Sequence, residues 1–423
     1  MSRLRPLSFG EFVVLMATMT ATVAFSIDAM LPGMPVIADT LSPDAPNRVQ
    51  LMVTLFMVGL GAGTLIAGPL SDRFGRKPVV LGGLAVYGLA ALAAAQAQTI
   101  ESLLAARLVQ GMGAAAPRIV AMAIIRDQYA GRRMARVTSI VMSIFILVPI
   151  IAPAFGALII AAFGWRALFV VFIGFAVLCG LWLRLRQPET LTPEARRPLR
   201  LRPLTAAVGE VVGNRRVMTY VAALSLGFAQ MLIFLSTVPQ VYADVWDRAD
   251  TMPYWFALVA VMVGASGMLN AKLVMVHGMR RLATLAFAIQ GLASALYLVV
   301  AGLADLPDPY NFYLFIAYLC MAFFMIGLTF GNLNALAMEH LGHIAGTASG
   351  VIGALSTFAA AAIAIPAGLA YAGSEATPVV GVLVCATLAF ALMLTTRERP
   401  GAGAGTLTPP PAPPDPVPAQ RHP

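Results

Sequence analysis

Residues 68–81 read GPLSDRFGRKPVVL, with one acid and three cations packed between two long apolar runs. The surroundings make this cluster conspicuous. Of 423 residues, 59% are hydrophobic and only 11% are charged, and the mean hydropathy is +0.83. A soluble domain carries roughly a quarter charged residues. A soluble chain of this length would also divide into roughly two or three domains, each needing a polar coat. The polar residues for such coats are missing. The chain therefore reads as an integral membrane protein, and the cluster as a loop between two spans.

A spanning helix needs about 20 mostly apolar residues, because the hydrocarbon layer is about 30 Å thick and each helical residue rises ~1.5 Å. About twelve stretches qualify. In the first half they run roughly over 9–31, 49–70, 79–97, 102–124, 137–162 and 165–185. In the second half they run roughly over 217–239, 253–275, 280–303, 311–333, 344–370 and 376–396. The short polar–apolar alternation of a membrane β-barrel is absent.

The net charge of +9 and the pI near 9.9 do not indicate nucleic-acid binding, because the cations are placed asymmetrically. About 23 of the 28 Lys and Arg fall on alternate connections or the termini. They include Arg3, Arg5, Arg73, Arg76, Lys77, Arg132, Arg133, Arg136, Arg196, Arg197, Arg200, Arg202, Arg215, Arg216, Lys272, Arg280 and Arg281. The opposite connections carry acids: Asp39, Asp44, Glu101, Asp244, Asp247, Asp250, Asp305, Asp308 and Glu375. Cytoplasmic loops concentrate Lys and Arg, so both termini are expected in the cytoplasm of a bacterial inner-membrane protein. The first apolar run is longer than a secretory core and reads as an uncleaved helix. Cys179, Cys320 and Cys385 lie apart inside spans, so neither a disulfide framework nor a metal site is expected.

The expected class is all-α: twelve transmembrane helices in two pseudo-symmetric six-helix halves. The halves cover 1–185 and 217–396, joined by a basic cytoplasmic linker over 186–216. The tail, 397–423, is rich in Pro, Ala and Gly and is expected to be disordered. A weak internal repeat supports the division. NAKLVMVHGMRRL (270–282) echoes the opening stretch, with Gly278, Arg280 and Arg281 for Gly75, Arg76 and Lys77, and Met275 where Asp72 would stand.

Within the opening stretch, Gly75 permits a tight reversal, while Gly68 and Pro69 suit close backbone approach at a helix end. Asp72 stands among Arg73, Arg76 and Lys77 on a side where acids do nothing for topology. Read as a latch, it pairs with these cations and faces a helix N-terminus of the other half in one conformation. Read plainly, the stretch is a positive-inside turn that holds an acid.

Gly68–Pro78 resembles the signature loop of the major facilitator superfamily. RLVQGMGAA (Arg107–Ala115) resembles that superfamily's buried-arginine motif, and VPIIAPAFG (Val148–Gly156) is similar to the proline–glycine motif of its drug/proton antiporters. SIDAMLPGMP (Ser26–Pro35) resembles a segment of the Bcr/CflA drug-resistance group. Two positions depart from the pattern: Ala29 and Met30 replace a usual Met-Tyr, and Ala152 replaces a glycine before the motif proline. The resemblance implies a proton-coupled exporter of small amphiphilic compounds, chloramphenicol- or bicyclomycin-like.

Charges inside a bilayer are costly and mark function. Asp28, at the outer end of the first span, reads as the proton carrier, against the plainer reading of a helix-end carboxylate in the headgroup region. Arg107 in the fourth span lies at similar depth, placed to pair with it directly or across water, with Gln110 one turn further in on the same polar path, against the plainer reading of an arginine snorkelling to the outer interface. Arg118 lies three turns from Arg107 on the same face. Near the cytoplasmic side it stands level with Glu11, which suggests a second acid–arginine relay, against the plainer reading of a snorkelling arginine. Pro149, Pro153 and Gly156 share a face of the fifth span, where each proline removes a backbone donor and bends the helix. No nucleotide-binding loop, nucleophile–base pair or metal-ligand set is present, so no enzymatic activity and no cofactor are expected. The expected partners are protons, a small amphiphilic substrate and the lipid bilayer, with the chain acting as a monomer. The alternative is a metabolite exporter on the same fold, for a sugar or amino-acid derivative.

Overall fold

The computed structural model describes residues 7–196, 201–304, 307–339, 341 and 344–396. The tail, the 197–200 part of the linker, and Arg3, Arg5 and Asp305 lie outside the described residues. The first half comprises α1 (Phe9–Asp28), a short α2 (Met34–Leu41), α3 (Leu51–Phe74), α4 (Arg76–Ala95), α5 (Ile100–Gln128), α6 (Gly131–Phe163) and α7 (Trp165–Arg186). The linker contains α8 (Leu201–Gly213). The second half comprises α9 (Arg215–Asp244), α10 (Met252–His277), α11 (Met279–Leu303), α12 (Tyr310–Met338), α13 (Ala345–Leu369) and α14 (Ala376–Thr395).

Among the described residues, twelve helical segments are long and apolar enough to cross a membrane. The first runs over Phe9–Leu41, past the expected limit at 31, because α1 turns at Leu31–Gly33 and resumes as α2. α1 and α9 are the most enclosed spans, which puts them at the centre. Within the first half, α3 and α4 pack on α5, while α1 packs on α5, α6 and α7. Within the second, α9 packs on α12, α13 and α14, and α11 on α12 and α14. Between the halves, α3 lies along α13 and α6 along α10.

Small residues allow this packing, since helices in lipid gain by close backbone approach rather than by burying greasy surface. Gly111 of α5 lies against the Phe56 backbone, and Gly59 of α3 against that of Leu108, so a Cβ at either position would meet backbone atoms. The two chain reversals of the internal repeat are built alike. Gly75 between α3 and α4 has φ +104°, and Gly278 between α10 and α11 has φ +75°, a region that L side chains rarely adopt.

The two ends of the bundle differ. One carries the starts of α1 and α9, the linker and the end of α14, and is called here the terminal end. Between the halves, hydrogen bonds of described residues gather at the other, far end. Asn47 donates to the carbonyls of Leu369 (3.1 Å) and Tyr371 (2.6 Å). Gln50 donates to Gln240, which donates in turn to the Pro46 carbonyl (3.3 Å). Gln50 and Gln240 are buried, so the far end is closed by neutral amides drawn from both halves.

Candidate functional site

The loop after α3 is a closed polar knot. The Arg76 guanidinium, buried at the start of α4, donates from Nε to Asp127 Oδ2 (2.9 Å) and from Nη1 to Asp72 Oδ1 (2.5 Å) and Ser71 Oγ (2.8 Å). Glu189, from the linker, accepts the backbone N–H groups of Arg76 (2.9 Å) and Lys77 (3.0 Å). It thereby supplies from outside the helix the cap that the first turn of α4 lacks. Lys77 Nζ donates to the Arg184 carbonyl (2.7 Å), and Arg73 lies exposed over the Phe74 ring. Asp72 thus holds a cation of its own half. Gly68 has nothing within 4 Å of where a Cβ would sit, so the close approach expected there is not made in this arrangement. Asp127 and Glu189 were not singled out from the sequence, since each joins the loop from a distant segment.

The buried arginine has a different partner from the one expected. Arg107 is fully buried and donates to the Ser26 carbonyl (3.2 Å), the Met52 carbonyl (3.4 Å) and Gln110 Oε1 (2.8 Å), with its guanidinium 4.4 Å from the Phe56 ring centroid. The Ser26 carbonyl belongs to the last turn of α1. The N–H groups of Ala29 and Met30 go to Phe25 and Ile27, which leaves this oxygen for Arg107. A cation at a helix C-terminus also complements the helix dipole. Ser26 Oγ bonds to the Tyr87 hydroxyl (2.6 Å), tying α1 to α4 at the same level.

Asp28 makes no side-chain hydrogen bond or ion pair with a described residue, and only 7% of it is exposed. A direct pairing with Arg107 is therefore not formed. Helical geometry gives the reason: residues two apart point about 200° apart, so with Ser26 turned to Arg107, Asp28 faces away. At this level the end of α1 packs against α6. Gly156, below Pro149 and Pro153 in α6, lies against the carbonyl of Ala29, the residue after Asp28. The kink motif thus packs on the segment that carries the buried carboxyl.

The Glu11–Arg118 relay is not formed either. Glu11 accepts a two-pronged ion pair from Arg186 (2.7 Å from both Nε and Nη2) and a bond from Trp182 (3.2 Å), both in α7. The face of α1 that carries Glu11 is turned to α7 rather than to α5, which similar depth alone could not reveal. In the second half, Ser294 Oγ and the Tyr318 hydroxyl bond at 2.9 Å beside the buried amides of Gln230 and Gln290. Among the described residues no group of three or more His, Cys, Asp or Glu is placed to hold a metal ion.

Comparison with known proteins accords with this geometry. A model of the Major Facilitator Superfamily matches residues 14–365. The chain is 30% identical over 356 residues to the bicyclomycin resistance protein homolog of Haemophilus influenzae, covering 83% of this chain and 87% of that one. It is 29% identical over 333 residues to the multidrug resistance protein MdtL of Salmonella paratyphi C, covering 77% and 80%. Among solved structures, a D-xylose-proton symporter superposes with a TM-score of 0.71 at 14% identity, over 90% of this chain and 97% of that one, a likeness of fold.

Proposed function

We propose that this chain, which belongs to the Major Facilitator Superfamily, is a multidrug efflux transporter that exports small amphiphilic compounds in exchange for protons. The names of its relatives support drug efflux, and Asp28 supports the proton coupling. The observation that carries the coupling is a carboxyl group that is buried, free of partners among the described residues, and seated where α1 meets the kinked α6. Such a group is ionised at a cost unless water reaches it, so protonation and conformation are linked.

With the termini in the cytoplasm, as the cation asymmetry indicates, the closed far end faces the periplasm. Closure at that end is what the cytoplasm-facing state of alternating access requires, the state in which substrate loads and the proton leaves. Neutralising Asp28 from the periplasm removes the charge that opposes its burial and permits the return. Substrate binds near the midplane, and the halves bounded at 185 and 217 rock about the linker. The protein works as a monomer in the bacterial inner membrane, with chloramphenicol- or bicyclomycin-like compounds as its cargo.

The test is proton release from inverted membrane vesicles holding a pH gradient, on addition of chloramphenicol-like, bicyclomycin-like or cationic compounds. Release with wild type that disappears in Asp28→Asn supports both antiport and the carrier. Release that persists in Asp28→Asn removes Asp28 from that role. Silence towards every compound, from a folded protein, refutes drug/proton exchange.

A further inference from the structure

With Glu11 bonded to Arg186, the interior cation Arg118 of α5 is left without the partner expected for it. Arg118 makes no hydrogen bond or ion pair with a described residue. Its position on the helix is the interior one. Eleven residues separate it from Arg107, about 20° in helical rotation, and Ala114, Ala121 and Ile125 on the same stripe are fully buried. The lipid-type stripe of α5, marked by exposed Ala105, Val109 and Met112, lies on the other side, with Val109 about 180° from Arg118. Yet Arg118 is itself exposed, although protein encloses it. A side chain on a buried stripe, enclosed and still accessible, borders an open space inside the bundle.

An unpaired cation at this depth is not explained by packing. Arginine inside a membrane protein pairs with an acid, with carbonyls or with the contents of an aqueous cavity. Arg107 has taken the second course through Ser26 and Met52. For Arg118 only the third is open. Snorkelling to the terminal-end surface would carry it along α5 past Ala121 and Ile125, which are sealed, and Asp127 at that end is already bonded to Arg76 and Thr190.

We propose that Arg118 is the anion-binding group of the transport cavity, and that among the amphiphilic compounds carried by this protein those presenting a carboxylate or a similar anionic group to it bind most tightly. The inference rests on the efflux reading for the word "carried", but the binding site stands on the geometry of α5 alone. A guanidinium binds a carboxylate through a planar two-pronged contact, which a neutral amide matches only in part and an ammonium opposes. The site therefore orders ligands by charge: anion first, neutral next, cation last.

The experiment uses the purified full chain in lipid nanodiscs and three fluorescent probes that share a ring: naphthylacetate, naphthylacetamide and naphthylethylamine. Chloride is held constant and inorganic phosphate serves as a competitor. Wild type is expected to bind the carboxylate about tenfold or more tightly than the amide, and the amine most weakly. Arg118→Gln should reduce that preference below about twofold, mainly by weakening the carboxylate. Arg118→Lys should keep part of it, and serves as the reporter if the Gln variant fails to fold.

Wild type binding acid and amide equally overturns the proposal, as does a preference that survives in folded Arg118→Gln. Competition by phosphate as effective as by naphthylacetate also overturns it, since the site would then hold an inorganic ion only. Vesicles that export none of the probes, together with a preference lost in Arg118→Gln, leave the anion site standing and count against the efflux reading alone.

Discussion

The contact between Gly156 and the end of α1 makes the sharpest prediction. A Cβ added at Gly156 would lie 2.7 Å from the Ala29 carbonyl carbon and 2.9 Å from its Cα, and closer still to the oxygen. Carbon atoms settle at about 3.5–4.0 Å, so α6 and the end of α1 would have to part by about 1 Å. These are backbone atoms, and no rotamer change can make room. Overpacking of this kind costs about 1–3 kcal/mol. The displacement falls beside Asp28 and three residues from Ser26, whose carbonyl is 3.2 Å from Arg107. A further ~0.5 Å takes that contact past useful hydrogen-bond length. Gly156→Ala should therefore lower drug-triggered proton release in inverted vesicles about tenfold, as a barrier raised by about 1.4 kcal/mol implies. Thermal unfolding of the purified variant should show the packing cost. The control is Gly174→Ala in α7, where a Cβ meets nothing within 4 Å. There the exchange adds helix propensity and should be neutral or stabilising by up to ~1 kcal/mol. If the two variants behave alike in both assays, the close approach of α6 to α1 has no part in coupling.

Three further outcomes follow from single contacts. Asn47→Ala removes two bonds that close the far end, so amide exchange over 46–50 and 369–371 should speed up about 5–30-fold, as a local loss of about 1–2 kcal/mol implies; unchanged exchange would mean that Gln50 and Gln240 suffice. Asp127→Asn weakens the hold on a buried guanidinium that Asp72 still contacts, and should cost about 1.5–3 kcal/mol in thermal unfolding, whereas Glu11→Gln, in the more accessible pair with Arg186, should leave proton release intact. Glu189→Ala leaves the N–H groups of Arg76 and Lys77 uncapped, and limited proteolysis should then cut the linker near Thr190–Leu191 several-fold faster.

Hydropathy and charge asymmetry suffice for the spans because a bilayer imposes one length and one polarity on every helix. The span limits read from the sequence lie close to the helices, and the largest discrepancy, in the first span, arises where Pro32 and Gly33 turn the chain and α2 carries it on. Which residues meet across helices is less legible. Depth could be counted for Asp28, Arg107, Glu11 and Arg118, but rotation could not, and rotation decides that Ser26 rather than Asp28 faces Arg107. The bond from Arg107 to Gln110 was legible because both lie on one helix, three apart. Asp127 and Glu189 were not, since nothing local marks an acid at a helix end or in a linker as the partner of Arg76. The far-end amides are the least visible: Asn47, Gln50 and Gln240 carry no charge, and their pairing depends on how the halves meet.

The two halves handle polarity differently, and that bears on how force passes between them. Each has a serine–tyrosine bond in its interior, Ser26 to Tyr87 in the first and Ser294 to Tyr318 in the second. Beside the first stand Arg107 and Asp28; beside the second stand the neutral Gln230 and Gln290. Taking up or losing a proton at Asp28 acts most directly on the half that carries it, and the second can be moved through contact. The route with the fewest intermediates starts at Asp28 itself. The chain turns at Leu31–Gly33 and continues into α2, and both that turn and α2 rest on α9, the central helix of the other half. A shift of the α1 end therefore reaches α9 through covalent structure and one packed interface, with Gly156 of α6 as the fixed surface it moves against. On this argument the Ala29–Gly156 contact sets the direction of the motion and α2 transmits it, so stiffening the Leu31–Gly33 turn should alter coupling even though the turn carries no polar side chain.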